Sequence, residues 1–304
     1  SSSAAEVSLW TFLAAALLVL IVRQGLKRGI EAANNIMMPL LFFVLLILIV
    51  RALTLPGVSK GLSFYLEPDI SRFTWEGVLA AIGQAFFAIG VAMAVALVYG
   101  SYLPPDSGKV VSNSAIVVLS STAIAFMAGL IIFPSAFAFG LDPGSGIGLT
   151  FITMPNVFNQ MPAGQLFGTL FYVLFFLAAL TSFIGGFEGL VAFVRDNLGL
   201  AREKGVWLVG TVVMFIAAVS AYSQKFFGMA DYIANNVFLI LGALMMTVFV
   251  GWVWQVPRFA EAAGVRSRGA LALWTIVIKY LAPLIILITW AAQLGLIQWS
   301  AGGE

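Results

Sequence analysis

Apolar residues in this chain run in blocks of about twenty rather than alternating, and short polar stretches separate the blocks. A block of that length matches the ~30 Å hydrocarbon core of a bilayer when coiled as an α-helix. Eight such blocks are found, near 7–23, 36–54, 77–102, 110–138, 164–194, 205–223, 230–254 and 270–298. Several exceed what a perpendicular crossing needs, which predicts tilt, a break, or helix ends standing in water. The third block, GQAFFAIGVAMAVALVYGSYLP from Gly83 to Pro104, carries Gly90 near its middle and polar flanks at both ends. Either the helix is interrupted there, or the glycine lets a neighbouring helix approach closely. Between the fourth and fifth blocks, GLDPGSGIGLTFITMPNVFNQMPAGQLF mixes Gly, Pro and apolar residues, which predicts a folded hairpin loop packed on the protein.

Composition agrees with this pattern. Of 304 residues, 62% are hydrophobic and 9% charged, and mean hydropathy is +1.05, which places the chain among integral membrane proteins. Cysteine and histidine are both absent. Disulfides, thiolate metal sites and cysteine nucleophiles are thereby excluded, as are imidazole proton shuttles. A net charge of +2 without basic runs gives no footprint for nucleic acid. No paired carboxylates, nucleophile–base pair or phosphate loop stands at midplane depth, so an enzyme is not expected.

The loops after the first, third, fifth and seventh blocks hold Arg23, Lys27, Arg28, Lys109, Arg195, Arg202, Lys204, Arg258, Arg266 and Arg268. The opposite loops hold Arg51, Lys60, Arg72 and Lys225. Ten against four assigns the first set to the cytoplasm of an inner (plasma) membrane. The opening SSSAAEV then lies outside, with neither an initiator Met nor a cleavable signal ahead of it. This reading expects residues 1–304 to be a single transmembrane domain, the C-terminal part of a longer protein.

Five features carry candidate chemistry. In FFLAALTSFIGGFEGL, Thr181 and Ser182 lie about one turn beyond Ala178, so two hydroxyls and a main-chain carbonyl can face one point. Hard oxygens suit a small hard cation such as sodium; equally, membrane Thr and Ser often bond back to the i−4 carbonyl. Gly29 and Pro39, separated by nine intervening residues, either allow the start of the second span to unwind or mark an ordinary helix start. Asp231 and Asp196 sit at opposite faces, where interfacial charge alone also explains them. Glu188 lies two turns inside Asp196, facing a cavity, a partner or interfacial water. Lys279, in the last block, is placed to snorkel or pair.

Taken in order, RGIEAANNIMMP, GQAFF…YGSYLP, GLIIFP, FITMPNVFNQMPAGQLFGTLFY, FFLAALTS, FVRDNLGL, MADYIANN and IKYLAP resemble the neurotransmitter:sodium symporter family. The resemblance is to its bacterial amino-acid-transporting branch with the LeuT-type fold, an all-α polytopic inverted-repeat architecture. It aligns the chain with the family's fourth to eleventh membrane helices, implying that the first three are missing. It implies a sodium ligand set of Ala178, Thr181 and Ser182. It implies substrate contacts from Phe87, Gly90, Met93, Ser182 and Gly186, with Phe87 as a lid and Gly90 to Ala92 as the unwound link. Gln84 and Asp231 match the outer gate, Asp196 matches the inner gate acid, and Gly29 with Pro39 matches the helix that loosens for inward release. Two departures stand out. Ala88, where a Thr or Ser is usual, and Ser121 (or Ser120), where an Asn or Asp is usual, imply a degraded second sodium site. Gly90, Met93 and Gly186 imply a roomier substrate pocket.

The function so implied is sodium-coupled symport of an amino acid by alternating access. Na+ is the coupling ion, the bilayer and a small molecule are the partners, and oligomeric state is unreadable. A non-transporting remnant or accessory subunit, and an uncoupled permease, remain open as alternatives.

Overall fold

The computed structural model describes residues 4–90, 95–103, 110–140, 149–265 and 267–293, and all regular structure among them is helical. The first span is α1 (Ala4–Arg23). The second begins with a π-helical turn, Leu26–Glu31, and continues as α2 (Ala32–Leu53). A short helix α3 (Val58–Leu66) follows, then α4 (Trp75–Ile89) and α5 (Val95–Ser101). The chain continues through α6 (Val110–Ala138), the short α7 (Met154–Gln160), α8 (Gly164–Leu198) and α9 (Arg202–Tyr222). α10 (Gln224–Ile233) and α11 (Leu239–Val248) are joined by the π-helix Ala234–Phe238 and followed by a second, Phe249–Val253. After α12 (Val256–Ala262), α13 (Arg268–Ile276) and α14 (Ala282–Gln293) flank the π-helix Val277–Leu281.

Among the described residues seven helices are long and apolar enough to cross a membrane, and they coincide with seven of the eight predicted blocks. The eighth, 77–102, is absent from that set because its helix stops. α4 ends at Ile89 and Gly90 adopts φ +66°, in the left-handed region. A Cβ added at Gly90 would meet no described residue within 4 Å. The left-handed backbone is by itself a reason for glycine here and favours the interrupted-helix reading of the sequence. Residues 91–94 lie outside the described set.

The chain divides into two compact units. In the unit formed by residues 20–72 and 120–184, the core gathers Leu41, Val44, Leu45 and Leu48 of α2 with Ile131 of α6 and Phe171 and Leu174 of α8. The described part of the hairpin loop folds into this core. Met154 and Val157 of α7 are fully buried, and the Phe158 ring packs at a tilt against Phe171, 5.4 Å between centroids. α3 docks on α6 through two glycines: a Cβ at Gly61 would fall 2.6 Å from Pro134 Cα, and one at Gly129 would fall 2.2 Å from the Tyr65 ring. The other unit contains residues 1–19, 73–119 and 185–304. There α9 meets α1 where a Cβ at Gly210 would lie 2.8 Å from Val19.

Candidate functional site

The predicted site residues are divided between the two units, and each share has its own geometry. In the first unit, Ala178, Thr181 and Ser182 occupy one turn of α8. The Ala178 carbonyl accepts from Thr181 Oγ1 at 2.9 Å and from Ser182 Oγ at 3.1 Å. The back-bonding expected of membrane hydroxyls is thus present, and it gathers two hydroxyl oxygens around one carbonyl oxygen. Each hydroxyl keeps lone pairs that a cation can take once its proton turns aside. Behind this turn, Ala178 borders a cavity of about 190 Å³ lined by apolar residues such as Leu41, Leu45, Ile131, Phe171 and Leu174. Ser121 is half-buried on α6, whereas Ser120 is exposed.

Gly29 and Pro39 belong to the same unit. Gly29 is buried inside the π-helix Leu26–Glu31, and a Cβ there would overlap the Ile21 carbonyl oxygen at 2.0 Å. Pro39 sits exposed within α2, ten residues further on. A π-helical turn followed by a proline leaves the hydrogen-bond ladder of this span interrupted twice.

In the other unit Gln84, Asn235, Asn236 and Thr289 supply the polar lining of an open cavity of about 470 Å³, whose remaining walls include Gly83, Leu239, Ala243 and Ile286. Asn235 Nδ2 donates to Asp231 Oδ1 at 2.8 Å, so Asp231 stands one hydrogen bond away from the cavity that Gln84 and Asn235 line. Both asparagines belong to the π-helix Ala234–Phe238, and the Asn236 carbonyl accepts from the Trp290 indole N–H at 2.9 Å. Gly185 touches α5, with a would-be Cβ 3.0 Å from Val95, while Gly186 faces open space. Phe87 and Ala88 lie in the last turns of α4; the Phe87 side chain and all of Met93 fall outside the described set. Asp196 is exposed and paired with the neighbouring Arg195 at 2.8 Å.

Interfacial water at Glu188 is excluded by its burial. Its side chain is 0% exposed and forms a two-pronged pair with Arg202, at 2.8 and 2.7 Å, while the Tyr102 hydroxyl donates to the same carboxylate. A carboxylate this buried is tolerable because three donors meet it. The cluster ties α8, α9 and the segment after α5 together. Sequence reasoning left its partners unnamed, although an acid inside an apolar span calls for a base, and Arg202 is among the first cations beyond the turn.

Compared with known proteins, the chain matches the sodium:neurotransmitter symporter family over residues 3–300. It belongs to that family. Relatives include a sodium-dependent transporter of Haemophilus influenzae, 31% identical over 95% of this chain and 66% of that protein. The sodium-dependent transporter YhdH of Bacillus subtilis is 33% identical over 93% of this chain and 66% of its own length. The chain thus spans just under two thirds of these family members. Among solved structures, MhsT in complex with L-phenylalanine superposes with a TM-score of 0.82 at 33% identity, covering 94% of this chain and 67% of that one. The family's LeuT-type fold is therefore the fold of this chain, and the two relatives from Haemophilus influenzae and Bacillus subtilis are sodium-dependent transporters.

Proposed function

We propose that the protein containing this chain is a sodium-coupled symporter that imports an amino acid by alternating access. The observation that carries the reading is the turn of α8 in which the Ala178 carbonyl and the Thr181 and Ser182 hydroxyls converge. Sodium held there favours one conformation of the carrier, and coupling follows because a ligand shifts an equilibrium only by binding one state better. Broken backbone at Gly90 exposes main-chain groups where a substrate carboxylate can be met. Phe87, Gly90, Met93, Ser182 and Gly186 form the substrate's surroundings in this reading, and the L-phenylalanine bound by MhsT supports an amino acid of that kind. Gln84 and Asp231 act at the outer gate and Asp196 at the inner. Gly29 to Pro39 loosens on inward release. Ala88 and Ser121 leave the second sodium site short of oxygen ligands, so one sodium per cycle is expected.

The test is uptake of radiolabelled amino acids into proteoliposomes of the full-length protein, with sodium outside or replaced by choline. A symporter concentrates substrate with sodium alone; equal uptake in choline leaves an uncoupled permease. No uptake in either medium leaves a non-transporting membrane subunit.

A further inference from the structure

Counting residues along its span puts Lys279 near mid-membrane, eleven positions after Arg268. Its neighbours place it elsewhere. A Cβ built at Gly251 would lie 3.6 Å from Lys279 Cα and 3.3 Å from its Cγ. Gly251 belongs to the π-helix Phe249–Val253, the last segment of the long span that begins at Gln224. Lys279 therefore stands level with the end of that span, at the face to which the basic loops assign the cytoplasm. Residues before it run on beside α12, where Phe259 meets Trp274 at 5.6 Å.

Aromatic side chains at this level mark the boundary between hydrocarbon and headgroups. Trp252 and Tyr280 pack edge to face at 6.4 Å, and both are exposed. Trp254, also exposed, abuts Phe259 at 5.4 Å. The missing side chain at Gly251 makes room for the Lys279 stem, and the half-buried lysine forms no ion pair or hydrogen bond among the described residues. Arg258 and Arg268 are exposed on α12 and α13, and Glu261 is the one acid near them on α12. An unneutralised ammonium at headgroup depth, flanked by exposed indole and phenol rings, is complementary to a phosphodiester with acyl chains attached.

We infer that Lys279, Trp252 and Tyr280 form a binding site for an anionic phospholipid of the cytoplasmic leaflet. The Lys279 ammonium meets the phosphate, the Tyr280 hydroxyl and Trp252 indole face the glycerol region, and the acyl chains lie along the apolar surface of the paired π-helices. Arg258 and Arg268 add a more diffuse attraction.

Native mass spectrometry of the full chain tests this, using equal amounts of phosphatidylglycerol and phosphatidylcholine with identical acyl chains. The wild type should retain phosphatidylglycerol preferentially. Lys279→Gln should reduce that preference about fivefold, the effect of one basic residue near an anionic surface, while Lys279→Arg keeps it. A second readout needs no variant: raising ionic strength should weaken the preference, since screening acts on charge and not on acyl contacts. Equal retention of the two lipids by the wild type, an undiminished preference in Lys279→Gln, or displacement of the lipid by excess glycerol phosphate would each overturn the assignment.

Discussion

At the scale of single residues, two clusters make opposite demands on their polar groups. Glu188 is neutralised and fully enclosed by Arg202 and Tyr102, so its stability depends on every partner staying. Removing one member of a buried pair strands the other charge. Arg202→Ala should therefore cost about 3–5 kcal/mol, read as a large drop in melting temperature in detergent. An unchanged melt would contradict the pairing. Thr181 and Ser182 are the reverse case, for their hydroxyls are already satisfied by Ala178 and either can be lost with little harm to folding. Thr181→Ala or Ser182→Ala should leave the melt within about 1 kcal/mol yet abolish sodium-dependent uptake by the full-length protein. Near-normal uptake would remove the ion assignment.

At the scale of elements, the informative positions are those where helices stop being regular. Gly90 holds φ +66° with open space where a side chain would be, whereas Gly186 has equal space inside α8. Gly90→Ala should then destabilise by about 1–2 kcal/mol through left-handed strain. Gly186→Ala should be neutral or stabilise by up to about 1 kcal/mol through helix propensity. Denaturant or thermal unfolding of the pair checks this contrast, and equal effects would mean that Gly90 is not held by its backbone. The π-helix Leu26–Glu31, followed by Pro39, predicts faster amide exchange at the start of the second span than in residues 41–53. Hydrogen-exchange mass spectrometry with and without sodium reads it; uniform protection along the span would count against a hinge there. Among the described residues the π-helices Ala234–Phe238, Phe249–Val253 and Val277–Leu281 fall inside long apolar spans, and apolar periodicity gives no hint of them, because a wider turn leaves an apolar run apolar.

At the scale of the whole molecule, the sequence determined membership of the bilayer. Blocks of about twenty apolar residues must form helices, since no other open structure satisfies its backbone in lipid. That argument located seven of the spans; at the eighth it left open whether Gly90 interrupts the helix or serves close packing, and the family resemblance alone implied the interruption. The ordered motifs, including FFLAALTS and MADYIANN, identified the family and put the candidate sodium ligands on a single turn. Tertiary structure decided what depends on neighbours distant in the chain. It gave Glu188 to Arg202 and Tyr102 instead of water, hydrogen-bonded Asp231 to Asn235 in the wall of the Gln84 cavity, and packed the Lys279 stem against Gly251. Hydropathy records how each residue partitions between water and lipid and so fixes which segments are buried. Depth and partnership depend on which helix lies alongside, and that is set by packing: Gly251 against Lys279, and the turn after Leu198 that returns Arg202 toward Glu188.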